Sequence, residues 1–222
     1  MKINRCKKAI LCLAGAIVVL AVPSITRATT LPTITFDDLN PASLPGGDAP
    51  YEAPIPNGYN GLQWNNFWVM DVLTAIPSIG TNGAFFTGMV SQPNVALNRS
   101  GNPAMISGGP FDLDSAYLTA AFYIGLQVEV QGFVGATLTY DNTYTVNTTC
   151  ATLINFNYLG VDKVNFISSY SGVSGPATQF LMDNMIISPV PEPATLALAG
   201  LGAAALMVCR RRQRSSVSAS FL

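Results

Sequence analysis

The chain has 222 residues, 11 Lys and Arg, 12 Asp and Glu, and no histidine, for a formal net charge of −1. A chain without histidine cannot build a Ser-His-Asp or Cys-His catalytic pair, nor a common zinc site. The near-neutral total hides a segregation: residues 29–188 hold only Arg99 and Lys163 against 11 acids, a formal charge of −9. Such a domain does not bind nucleic acid by neutralising phosphates.

Residues 1–28 have the three parts of an export signal. Lys2, Arg5, Lys7 and Lys8 form a charged start, and Ala9–Val22 is an uncharged apolar stretch of 14 residues. Pro23 and Ser24 break it, and Thr26-Arg27-Ala28 places small residues at both recognition positions for cleavage after Ala28. The plainer alternative is an uncleaved N-terminal anchor. Cys6 and Cys12 lie in this leader and Cys209 in the tail, which leaves Cys150 alone in the middle and no disulfide within it.

Residues 29–188 read as one domain with a period of two. Strands are expected at Thr33–Phe36, Gly61–Trp68, Asn94–Leu97, Ala104–Ser107 and Ser115–Tyr123. Leu126, Val128 and Val130 then alternate with Gln127, Glu129 and Gln131. Leu138 and Tyr140 alternate with Thr137, Thr139 and Asp141, and Val164 and Phe166 with Lys163 and Asn165. Phe180–Ile187 is apolar except at Asp183 and Asn184, as suits a strand buried on both sides for part of its length. Turn residues punctuate the series, among them Ser107-Gly108-Gly109-Pro110, and no helical stripe is evident. Many short strands at this spacing predict an antiparallel β-sandwich or barrel. Ile34-Thr35-Phe36-Asp37-Asp38, Phe111-Asp112-Leu113 and Phe180-Leu181-Met182-Asp183-Asn184 resemble exported jelly-roll domains of the galactose-binding or carbohydrate-binding-module type. That resemblance implies an all-β jelly-roll sandwich, pairing of the first and last strands, and a structural Ca²⁺ held near their ends.

The chain closes with Pro191-Glu192-Pro193, an apolar stretch of 16 residues from Ala194 to Cys209, and the basic cluster Arg210, Arg211, Arg212. As a helix the stretch covers about 24 Å against a hydrocarbon core of about 30 Å, a marginal transmembrane span. The arginines should stay cytoplasmic, with residues 215–222 behind them and the domain on the far side. Two prolines fix an extended backbone, the form a peptide-cleaving enzyme accepts. In this order and at this place the three features resemble the PEP-CTERM sorting tail of Gram-negative bacterial exported proteins. The resemblance implies a sorting signal over residues 189–214 and an exosortase-type membrane enzyme as partner. It also implies an inner-membrane-tethered precursor whose mature form lies at the cell surface or outside, where extracellular polysaccharide is a candidate partner.

Three sets of residues in the domain are candidates for a site. Asp37, Asp38 and Asp183 carry the hard oxygens that suit Ca²⁺, with turn capping by Asp38 and Asn184 as the plainer reading. Tyr59, Trp64 and Trp68, flanked by asparagines, could stack on sugar rings; the tryptophans share parity, so core packing is the plainer reading. Glu52, Asp71, Asp112 and Glu129 are the carboxylates a glycosidase would draw on, yet nothing in the sequence pairs them. The expected function is therefore non-enzymatic: an exported surface or matrix protein. A carbohydrate-binding module is the alternative, and a polysaccharide-active enzyme a weaker one.

Overall fold

The computed structural model describes residues 33–80 and 83–190, together with 201, 202 and 205. The export signal of residues 1–28 lies outside the described residues, as does the span 194–209 except for Leu201, Gly202 and Ala205, which are helical. Among the described residues no helix is long and apolar enough to cross a membrane.

Ten strands form the domain: β1 (Thr33–Ile34), β2 (Glu52–Pro54), β3 (Gln63–Asn65), β4 (Phe67–Asp71), β5 (Asn94–Asn98), β6 (Ala104–Ala120), β7 (Leu126–Val134), β8 (Thr137–Val146), β9 (Thr152–Ser169) and β10 (Phe180–Pro189). They make one continuous antiparallel ladder in the order β2-β4-β5-β10-β6-β9-β7-β8, with β1 on β10 and β3 on β6. The first and last strands pair as expected, Thr33 opposite Ile186 and Ile34 opposite Met185.

The ladder folds over on itself into a β-sandwich. The first half of β9 pairs with β6, while its second half, Lys163–Ser169, also pairs with β7. The β7–β8 hairpin then packs back over that first half. Tyr140 stacks on Tyr158 at 4.5 Å, Tyr144 meets Phe156 edge-on at 5.4 Å, and the Tyr158 hydroxyl donates to the Val130 carbonyl at 2.9 Å. Leu126, Val128 and Val130 are fully buried, as their alternation predicts. The centre of the sandwich is a chain of rings: Phe36, Trp64, Phe67, Phe166 and Phe180, with neighbouring centroids 5.5–6.1 Å apart.

The other face of β4, β5 and β10 carries a second cluster of Met70, Val72, Ala75, Met89, Val95, Leu97 and Leu181. Two short helices, α1 (Val72–Ile79) and α2 (Ala84–Gly88), contribute to it. They correct the expectation of no helix. Asp71 caps α1 by accepting from the Thr74 amide at 2.9 Å, and Gly80 closes it at φ 75°. Gly88 lets α2 approach the sheet, because a Cβ there would stand 2.8 Å from Leu181 Cδ1.

Two further expectations are corrected. Ser107-Gly108-Gly109-Pro110 is not a turn between strands but an irregularity inside β6. Ser107 faces Lys163 and Phe111 faces Val161, so β6 advances four residues while β9 advances two. Gly61–Trp68 is not one strand, because Asn66 at φ 55° breaks it into β3 and β4.

Candidate functional site

The break at Asn66 decides the fate of the aromatic set. An αL residue between two strands reverses side-chain parity, so Trp64 and Trp68 face opposite sides. Asn66 holds the break by donating its side-chain amide to the carbonyls of Arg99, Asn102 and Pro103 at 3.1–3.2 Å. Trp64 is 5% exposed in the ring chain, and its indole N–H donates to the Tyr59 carbonyl at 3.0 Å. It presents no face to a sugar. Tyr59 packs beside it at 6.1 Å and donates its hydroxyl to Asp38 Oδ1 at 2.6 Å. Burial, with the Asp38 charge added, pushes that phenol above its usual range. Trp68 lies on the outer face under the Arg99 guanidinium, 4.4 Å from the ring centroid. The three aromatics therefore form no common platform.

The acidic set likewise does not converge. Asp38 is turned to Tyr59, and Asp37 Oδ1 accepts the Asn94 amide at 3.0 Å. Asp183 is fully buried, and its oxygens are taken by donors. Oδ2 accepts from the Val90 and Ser91 amides at 2.7 and 2.8 Å, and Oδ1 from the Asn184 amide at 2.7 Å and the Ser91 hydroxyl at 3.2 Å. A carboxylate so surrounded by N–H and O–H groups has no lone pair left for a cation. Among the described residues no three His, Cys, Asp or Glu side chains come together. The residues present do not fit the expected Ca²⁺ site. Asp183 instead fastens the segment after α2 to the sheet. Burial, as the largest effect, pushes its carboxyl up to about 6 against the pull of those amides, with Asp37 adding a smaller push.

The four glycosidase candidates are each engaged separately. Asp71 caps α1, Asp112 Oδ1 accepts the Gly160 amide at 2.6 Å, and Glu129 accepts from the Gln131 side chain at 2.5 Å. Glu52 and Asp48 both bind the Arg99 guanidinium. Burial raises the Glu52 carboxyl, and Arg99 opposes that rise. Lys163, the other cation of the domain, lies 3.9 Å from the centroid of the Phe133 ring.

Two features of the domain escaped the sequence reading, and they lie at opposite ends. One is a tip between β6 and β7, where Phe122 and Ile124 are 49% and 63% exposed and Tyr123 stacks on Tyr170 at 4.7 Å. The Ala121-to-Gly125 segment has no charged side chain and only one polar group, the Tyr123 hydroxyl, a signal of exposure only once the turn is located. The other is a cleft of about 340 Å³ lined by Asn60, Gly61, Leu62, Gly109, Pro110, Phe111, Ile187 and Pro189. It opens where β3 leaves one edge of β6 at Ser107 and β10 joins that same edge at Phe111. Between the two ends runs the length of β10, about 30 Å of strand.

Comparison with solved structures finds distant likenesses. The carbohydrate-binding module TmCBM61, in complex with β-1,4-galactotriose, is 7% identical with a TM-score of 0.35, over 61% of this chain and 95% of that one. The tandem CBM22-1–CBM22-2 domain of Paenibacillus barcinonensis Xyn10C is 11% identical with a TM-score of 0.34, over 74% of this chain and 47% of that one. An arabinose-bound α-L-arabinofuranosidase, MgGH51, is 16% identical with a TM-score of 0.35, over 72% and 26%. These likenesses are too distant to speak of function. No curated protein matches the chain. The tail is a different matter: residues 189–212 match the PEP-CTERM protein-sorting motif, beginning at the last residue of β10, so this is an exported chain that carries its sorting signal directly on the end of a β-sandwich.

Proposed function

We propose that the chain is a non-enzymatic protein of the cell surface or extracellular matrix, delivered through a PEP-CTERM/exosortase route. The observation that supports this most is the match of residues 189–212 to the sorting motif. The scattering of the carboxylates into capping and fastening roles agrees with a non-catalytic domain. The test is mass spectrometry of the C-terminus of mature protein isolated from its host. A terminus near Pro193 supports sorting with cleavage, and an intact arginine cluster at the end of the mature chain rejects it.

Glycan binding is the second reading, and the exposed tip favours it. Phe122, Tyr123 and Tyr170 place aromatic rings at the end of the domain remote from the tail. A glycan array probed with the mature chain tests this. Binding lost on Tyr123→Ala at unchanged melting temperature supports it, and an array without a signal removes it.

A further inference from the structure

The sorting motif and the folded domain overlap. The motif begins at Pro189, which is paired with Phe111 in the β10–β6 ladder. The next amide, Val190, donates to the Pro110 carbonyl at 3.4 Å. Only Pro191, Glu192 and Pro193 separate this last bonded residue from the apolar stretch that starts at Ala194. Fully extended, the path from Val190 to Ala194 is at most about 14 Å. An enzyme that grips Pro191–Pro193 works against the surface of the domain, with no linker to hold that surface away.

That surface is shaped. The cleft beside the tail exit has apolar walls from Leu62, Pro110, Phe111, Ile187 and Pro189, and the first residue of the motif is one of those walls. The glycine-proline irregularity of β6 makes the gap, because it parts the ends of β3 and β10 along one edge. We propose that this cleft is a docking surface for the membrane enzyme that processes the tail, so that the enzyme reads the cargo's last strand together with Pro191-Glu192-Pro193. The cleft suits an apolar side chain of that enzyme: its only polar side chain is Asn60, and it has no charged one. The lipid surface is a poorer occupant. Asp112 follows Phe111 in β6, and Asp162 follows its partner Val161 in β9; their charges disfavour anionic headgroups.

The proposal rests on the sorting reading, and the experiment separates the two. In the host, conversion of precursor to mature chain is followed by pulse–chase for the full-length wild type and for Gly109→Trp. Gly109 is suited to this because a Cβ added there meets no atom within 4 Å. A tryptophan at this lining position adds bulk at the cleft, and melting temperature checks that the fold is kept. Conversion is expected to slow about tenfold, as when one interface anchor is blocked. Ile124→Ser, at the opposite tip, should convert at the wild-type rate. A ten-residue Gly/Ser insertion after Val190 puts about 17 Å of flexible chain between cleft and motif, and should also slow conversion. If Gly109→Trp converts normally, or the insertion leaves the rate unchanged or raises it, the docking surface is refuted while the sorting reading stands. Normal conversion together with lost binding to anionic vesicles would refute it too, and would assign the cleft to lipid. A wild-type chain that is never converted defeats the sorting reading itself.

Discussion

Strands β4, β5 and β10 present two faces built on different principles. The inner face carries Phe67, Val69, Ala96, Phe180 and Met182 into a dry core where rings meet edge to face. The outer face carries Trp68 beneath Arg99, and Asp183 against the segment after α2, alongside the apolar cluster under two short helices. The inner face is stabilised by area and shape, which depend little on solution conditions. The outer face depends on a few polar fastenings, each with a charge that can be removed. One set of strands thus has a robust side and an adjustable side.

The largest expected effect tests the inner face. Phe67 touches Trp64, Phe166 and Phe180, so Phe67→Ala should cost about 3–5 kcal/mol in urea unfolding. Trp68→Ala, on the half-buried outer side, should cost about 1–2 kcal/mol. Equal losses would abolish the distinction between the faces. Next comes the residue that creates it: Asn66→Val places a β-branched side chain at φ 55° and leaves three carbonyls short of a donor, at a cost of about 2–3 kcal/mol. Asn66→Gly, which tolerates the conformation, should recover part of that loss, and thermal melting would show the order.

A smaller effect concerns Asp183, whose carboxyl stands at about 6 in the fold against 3.8 unperturbed. The folded chain takes up this proton at a higher pH than the unfolded chain. Stability from this group therefore grows as pH falls through about 6, and the gain is complete below about 4. Above pH 6 its buried charge is a cost. Asp183→Asn removes the titration, so the stability difference between variant and wild type should move in the variant's favour from pH 5 to pH 7.5. A difference that is flat with pH would contradict the buried charge. The smallest expected effect is none: Ca²⁺ at millimolar concentration, added after a chelator, should leave the melting temperature unchanged. A rise of several degrees would restore the cation that the donors around Asp183 argue against.

The inner face was legible in the sequence and much of the outer face was not. Alternation in Leu126–Val130 located a strand with one buried side, and the apolar run at Phe180 located one buried on both. The same logic failed at Trp64 and Trp68. Their even spacing implies one face only if every residue between them is extended, and Asn66 is not. The helices were hidden by length, since α1 has eight residues and contains Pro77, and α2 has five. Asp37, Asp38 and Asp183 were singled out as Ca²⁺ ligands, and in the structure each accepts from protein donors instead. Sequence cannot tell a carboxylate facing N–H groups from one facing a cation, because the donors come from segments far along the chain, such as Val90 and Ser91. The sorting motif was legible because its information is local: prolines, apolar length and arginines in order.

The domain has only two cations, and both are sheathed. Arg99 is gripped by Asp48 and Glu52 over the Trp68 ring, and Lys163 lies over Phe133. Within a Debye length of about 8 Å of their surface, residues 29–188, with a formal charge of −9, act as a polyanion. Such a particle is drawn to anion exchangers, gathers divalent ions from its medium, and is repelled by acidic polymers unless those ions bridge the two. Among mixed polymers it would mingle with neutral chains in free solution, and with polyanionic chains only when magnesium or calcium is abundant.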